Sequence, residues 1–315
     1  MAAPRWRLAE PRAPSPRPYL VLVRRWMTDV RRWWRLVERA ATVAQSRARG
    51  DADGDVTAED DLAADLAAAE RAYWLRRSLD RARDAMPEPP TAEEITRATE
   101  PTARQSIRAA RRGLVAAGAS TAALADRLGI VPPPPPAGSP PTAGGGGFGG
   151  VRVSESQVTG IDIAPTLAER EAIQAWARDG VDLIKRVQRD LLTDLDRVIA
   201  EAARGGVRVE ALARDLEARL GIHDRHAQLI ARDQTGKLNA RVTQATQDAA
   251  GITRYIWRTA RDQRVRERHQ ELEGTTWDAA GPGAPEAGPY GQHAHPGEGI
   301  QCRCYREPII PDDLA

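Results

Sequence analysis

The stretch Asp224–Arg258, DRHAQLIARDQTGKLNARVTQATQDAAGITRYIWR, decides the fold class. To about Ala250 it reads as a helix, and Gly251 is a residue type that ends one. Beyond it, Tyr255-Ile256-Trp257 joins two aromatics to a β-branched residue, the composition of a strand. Thr275-Thr276-Trp277 and Cys302–Arg306 read as two further short strands. Between them lies the Gly/Pro-rich loop Gly281–Gly299, too long to be a mere connection. The C-terminus is therefore expected to be a small α+β unit attached to helices.

Upstream, Thr166 and Glu169 have capping-box spacing, in which each side chain satisfies a backbone N–H of the other. They open a helix expected to end near Gly180. Ile184, Val187, Leu191, Leu195 and Val198 mark a long amphipathic helix closed by Gly205-Gly206, and a shorter one over Val209–Leu220 stops at Gly221. Residues 131–150, VPPPPPAGSPPTAGGGGFGG, read as a linker, because proline cannot donate to a ladder and glycine is entropically expensive to order. Its proline half is expected to be stiff and its glycine half flexible.

Residues 1–18 are rich in Pro and Arg without periodicity and read as a flexible arm. From Tyr19 to about Ser46, Val23, Met27, Val30, Trp34, Val37 and Ala41 recur at helical spacing. After a break at Asp51–Asp55, Leu62, Leu66, Ala69 and Tyr73 mark a second stripe, so two antiparallel helices are expected. Thr91 and Glu94 begin another helix, which Pro101 should interrupt. A further helix then runs to about Ala117, and a short one to Leu128. The fold class is thus mainly α. The expected order is an arm (1–18), a helical N-terminal module (19–130), a Pro/Gly linker (131–150) and a C-terminal helical domain (151–315) ending in the α+β unit with short strands. No apolar periodicity crosses the linker, so little contact between the modules is expected.

The composition agrees. The chain has 315 residues, 41% hydrophobic but only 4% aromatic with one Phe, so its cores must be built from Leu, Val, Ile and Ala, which favours helices. Its net charge of +2 excludes a basic surface spread over the whole molecule. Twelve arginines against Glu10, Asp29 and Glu38 concentrate positive charge in residues 1–50. No run has the roughly 18 apolar residues of a membrane span, and the charges after Tyr19–Val23 are misplaced for a secretory signal. A soluble intracellular product is expected. Only Cys302 and Cys304 could pair, and a bridge between them would close a tiny, strained ring.

Several constellations could carry chemistry. His269, His295, Cys302 and Cys304 have the donors of a tetrahedral structural zinc site, with His293 as a spare ligand; the alternative is packed thiols and hydrogen-bonded histidines. His269-Gln270-Glu271 with Cys302-Arg303-Cys304 imitates a zinc deaminase, but that signature needs Pro-Cys-x-x-Cys. Asp51, Asp53 and Asp55 imitate a calcium loop, yet Val56 and Leu62 stand where Gly and Glu are required. Trp26, Trp33 and Trp34 among Arg24, Arg25, Arg31, Arg32 and Arg35 could stack on bases, enter a membrane surface or dock on a partner. Alternatively they are buried with arginine stems covering them.

Ile230-Ala231-Arg232-Asp233-Gln234, then Gly251, Tyr255 and Trp257, then Asp262, Arg264, His269 and Leu272-Glu273-Gly274, and last His295-Pro296 and Cys302-Arg303-Cys304 form a series whose order and spacing resemble the Mu F-like phage head-morphogenesis family. The resemblance covers roughly residues 160–307 and marks Arg232, Asp233, Trp257, Asp262, Gly274, Pro296 and Arg303 as motif positions. It implies a minor virion component, assembled in the bacterial host cytoplasm, that associates with the portal protein or the major capsid protein and assists assembly or genome delivery without catalysis. Packaged DNA is a further partner through the basic N-terminal helix. Family members often have Ala-Arg-Thr-Glu where this chain has Ala231-Arg232-Asp233-Gln234, and many have Cys where Arg266 and His269 stand. A second reading, from another class, is a virion-carried metal-dependent hydrolase or toxin-like effector with His269 and Glu271 as acid and base.

Overall fold

The computed structural model describes residues 17–48, 73, 77, 80, 83–130, 158–159, 164–205, 209–288 and 291–315. Most of the expected arm, the second helix of the N-terminal pair and the linker 131–150 lie outside the described residues. The elements are α1 (Arg17–Ala48), α2 (Ala92–Ala116), α3 (Thr121–Arg127), α4 (Leu167–Gly205), α5 (Val209–Ala249), β1 (Arg254–Arg258), α6 (Glu267–Glu271), β2 (Thr276–Asp278) and β3 (Tyr305–Pro308). The chain is mainly helical with a small antiparallel sheet at its C-terminus, as the sequence leads one to expect. No described helix is long and apolar enough to cross a membrane.

Three expected helix breaks are absent. Pro101 sits inside α2 on its exposed side, where the carbonyl left without a partner can turn to solvent. Gly180 lies within α4 and Gly221 within α5. A glycine inside a helix costs about 1 kcal/mol relative to Ala. The apolar stripe of α4 runs through Gly180 from Trp176 and Ala177 to Ile184 and Val187, all buried, and its burial outweighs that cost.

The chain groups into two compact units. One holds residues 92–179 and 232–315, the other residues 20–91 and 180–231. In the first, Leu114, Leu124 and Leu128 share a core with Val158, Ala250, Ile252 and Leu314. Residues from both sides of 131–150 therefore pack together, and the expectation of little contact across that segment is overturned. The reason is physical: periodicity shows which face of a helix is apolar, not which partner covers it. A second tie crosses the same segment. Arg111 meets Glu169 at 2.6 Å with neither side chain exposed. Glu169 is the capping-box residue, accepting the N–H of Thr166 at 2.8 Å while its own N–H reaches the Thr166 hydroxyl at 3.2 Å.

The sheet has the order β2-β1-β3, both pairs antiparallel, with Tyr255 opposite Trp277 and Trp257 opposite Arg306. Tyr255 and Trp257 alternate onto one buried face, where they meet Leu272, Ala284, Ala287, Ala294 and Cys304. The third strand starts at Tyr305, later than the expected Cys302, because a turn intervenes: the Cys302 N–H bonds the Gly299 carbonyl at 3.0 Å and Gln301 has φ of 55°.

In the second unit, α1 buries Val23, Trp26, Met27, Val30, Trp33 and Trp34, while Arg24, Arg25, Arg31, Arg32 and Arg35 are exposed. The Trp26 indole donates to the Pro87 carbonyl at 3.4 Å, which the Gln188 amide also reaches. The tryptophans are therefore core residues and do not offer a stacking platform.

Candidate functional site

His269, on the one-turn helix α6, donates from Nε2 to the Ala287 carbonyl at 2.9 Å. A carbonyl only accepts, so in the neutral ring Nδ1 carries the lone pair. That nitrogen lies 3.5 Å from the Cys302 sulfur and 3.4 Å from that of Cys304. The three ligand atoms fall within 4.8 Å of one another, so the group could hold a metal ion. Had Cys302 and Cys304 been alternate residues of one strand, their sulfurs would point to opposite faces; the turn before β3 lets both approach one imidazole. The Trp257 ring stands edge-on to His269 at 5.4 Å and closes the group on one side.

The electrostatics separate the two thiols. A hydrogen bond with Cys304, joined by one with His269, pulls the Cys302 thiol down to about 4 against the opposing effect of burial. Cys304 is pushed up by neighbouring Cys302 and by burial. His269 is raised chiefly by its hydrogen bond with Cys302. Cys302 is thus the more readily ionised of the two thiols, which suits a thiophilic ion because the thiolate is the ligand form.

His295 does not join them. Its Nε2 donates to the Gly281 carbonyl at 2.9 Å and its Nδ1 accepts from the Tyr255 hydroxyl at 2.7 Å, so both ring nitrogens are engaged. Burial, and then the nearby Arg306, lower its affinity for a second proton. Three of the four expected ligands come together and the fourth fastens the loop. His293 bonds the Gly283 carbonyl at 3.2 Å, so three imidazoles tie residues 281–287 to the remainder of the unit.

The motif positions hold the same loop in place. Asp233, on α5, accepts the Gln301 N–H at 2.6 Å and pairs with Lys237 at 2.8 Å. Asp262 grips Arg303 and accepts the Arg264 N–H at 2.9 Å. Gly274 turns the chain with φ of 82° and donates to the Trp257 carbonyl at 2.9 Å. Pro296 is buried, and next to it a Cβ on Gly297 would stand 2.4 Å from the Ala240 Cβ, so the loop lies directly on α5. Arg232 is exposed.

Several residues of equal weight were given no role by the sequence, although Glu273 stands in the Leu272-Glu273-Gly274 motif. Glu273 receives the Thr259 N–H and hydroxyl and pairs with Arg258 and Arg261. Arg306 is buried over the Tyr255 ring at 4.5 Å, with Asp248 as its nearest carboxylate at 4.0 Å. Glu298 accepts the His295 N–H at 2.7 Å. The spacing of charges in an irregular loop carries no periodic signal that would have revealed these contacts.

These features define a helical unit capped by a small sheet, whose long loop is pinned by the motif residues. Residues 193–306 match the model of the family described as Phage Mu protein F like protein, which bears out the resemblance over that segment. An uncharacterized protein of Haemophilus influenzae is 31% identical over 159 residues, which are 49% of this chain and 34% of that protein. The chain thus spans about a third of the length of the curated relative it matches. No solved structure matches.

Proposed function

We propose that this is a structural minor head protein of a tailed phage, resident in the virion after assembly in the host cytoplasm. On this reading it associates with the portal protein and the major capsid protein during assembly and genome packaging or delivery. The observation that carries it is the use of the motif residues within the family-matched segment: Asp233, Asp262 and Arg303 hold the chain at the end of the loop, Pro296 is buried within it and Gly274 turns the chain beside Trp257, all structural tasks. The hydrolase reading needs a general base beside the metal-binding group. Glu271, its candidate, is 59% exposed and paired with Arg268, which favours the structural reading.

The cofactor on this reading is a structural zinc ion held by His269 Nδ1, Cys302 and Cys304. The residues fit it: soft thiolates and an imidazole whose other nitrogen is anchored to a backbone carbonyl are the donor set and outer support such ions take. Packaged DNA is a partner through the exposed arginines of α1, by phosphate contacts alone, since the tryptophans are buried.

Single-particle density of intact virions carrying an epitope on this chain tests the assignment. Label at the portal vertex or inner capsid wall is the expected result. Its absence from purified particles would overturn it.

A further inference from the structure

A cleft of about 420 Å³ in the first unit is lined by α2, α5 and the edge strand β3. Its volume is within the ~300–1,000 Å³ usual for ligand sites. The α2 wall is built from Ala109, Ala110, Gly113 and Ala116, and a Cβ on Gly113 would meet nothing within 4 Å. Facing it on α5 are Asn239, Thr243 and Gln247, one helical turn apart. Small side chains alone would leave only a groove; the polar groups give it a ligand chemistry. Gln105, Asn239 and Thr243 make no side-chain hydrogen bond among the described residues. Gln247, 3% exposed, gives its amide N–H to the Arg306 carbonyl while its Oε1 is buried without a partner.

The charge of the cleft is lopsided. Its carboxylate, Glu307, is taken by Arg258, whereas Arg112 is exposed at the edge with no carboxylate of the cleft left to pair it; the guanidinium of Arg306 is engaged elsewhere, over the Tyr255 ring and beside Asp248. An occupant must therefore be anionic in part and must supply both N–H donors and carbonyl acceptors. Peptide groups do this, because an Asn or Gln amide offers one donor and one acceptor edge to match. The repeat also agrees. Residues four apart on a helix recur every ~6 Å, and alternate residues of an extended chain every ~6.6 Å. A lipid tail would leave these amides unpaired on both sides.

We propose that the cleft receives an extended segment of a partner polypeptide carrying an acidic side chain. Its backbone is held by Gln105, Asn239 and Thr243, and its carboxylate faces Arg112. The length of α2 along the cleft, from Gln105 to Ala116, is about 16 Å, which is room for roughly five extended residues.

The test uses the full-length chain labelled with ¹⁵N and two pentapeptides, acetyl-Ala-Val-Asp-Val-Ala-amide and the same peptide with lysine at its centre. The acidic peptide is expected to shift the side-chain amide signals of Gln105 and Asn239, with the lysine peptide weaker by roughly ten-fold. Gly113→Phe fills the cleft and should abolish the shifts, while Gly113→Ala, which fits without contact, should retain them. Arg112→Glu should reverse the preference between the peptides. Absence of any shift, equal binding of both peptides, or binding that survives Gly113→Phe would overturn the proposal. So would competition by glutarate at equal concentration, which would mark a small-carboxylate site.

Discussion

Arg111 and Glu169 form an ion pair from which water is excluded on both sides, and the Thr246 hydroxyl donates to the same carboxylate at 2.8 Å. This arrangement ties α2 to the first turn of α4 inside one core. Removing one partner strands the other as a buried charge, which typically costs about 3–5 kcal/mol. Arg111→Leu should therefore lower unfolding stability by about that amount in urea. The double variant Arg111→Leu, Glu169→Leu should lose clearly less than the two single losses added, because neither charge is then left alone. Additive losses would mean that the pair is not coupled in this way.

The metal-binding group predicts a stoichiometry. One zinc or cobalt ion per chain is expected, bound more weakly by His269→Ala, Cys302→Ser and Cys304→Ser, whereas His295→Ala should retain it because that imidazole is spent on Gly281 and Tyr255. Cobalt absorption bands reporting thiolate ligation provide the measurement. Lack of stoichiometric metal, with near-native stability of both cysteine variants, would leave a packed thiol pair and no clip.

Part of the acid sensitivity should trace to Glu273. Burial alone would raise this carboxyl from 4.5, but hydrogen bonds from Arg261 and Thr259 hold it down at about 2. A depressed carboxylate contributes stability above its unfolded value, and that contribution is lost as pH falls from about 4.5 towards 2. Glu273→Gln should therefore lower the urea midpoint at pH 7 and flatten its fall across that window. An acid profile unchanged by the substitution would show that the carboxylate does not govern it.

Two glycines should respond in opposite directions. Gly297 has φ of 88° and its missing Cβ would stand 2.4 Å from that of Ala240, so Gly297→Ala should destabilise by about 1–3 kcal/mol. Gly113 lies in α2 with open space around it, and Gly113→Ala should stabilise by about 0.5–1 kcal/mol. Thermal melts of the two variants decide both.

The exposed arginines of α1 make binding to DNA measurable. Log affinity for duplex DNA should fall linearly with log salt, and Arg31→Gln, Arg32→Gln and Arg35→Gln together should reduce the slope by about 2.7, roughly 0.9 for each phosphate no longer neutralised. An affinity insensitive to salt would place α1 against protein instead.

The sequence by itself determined the mainly helical class, the apolar stripe of α1 from Val23 to Trp34, the Thr166–Glu169 capping box and the strands at Tyr255–Trp257 and Thr276-Trp277. Each depends on local periodicity or on partners three or four residues apart, which the order of residues contains directly. It also pointed to His269, His295, Cys302 and Cys304 as one group, because few other residues have their chemistry, and three of the four come together. Tertiary structure decided the rest. Trp26, Trp33 and Trp34 could have been a binding surface or a core, and only their packing in the second unit makes them core. His295 was indistinguishable from a ligand in the sequence, and only the positions of Gly281 and Tyr255 show that its nitrogens are occupied. Gly180, Gly221 and Pro101 looked like helix ends, yet the helices run through all three, carried past Gly180 by the burial of Trp176 and Ile184 on either side. The Pro/Gly stretch looked like a boundary between cores, yet Leu114 and Ile252 share one. A buried face does not name its partner in sequence, since burial of apolar area is non-directional; which surfaces meet is chosen only when all of them compete for burial at once.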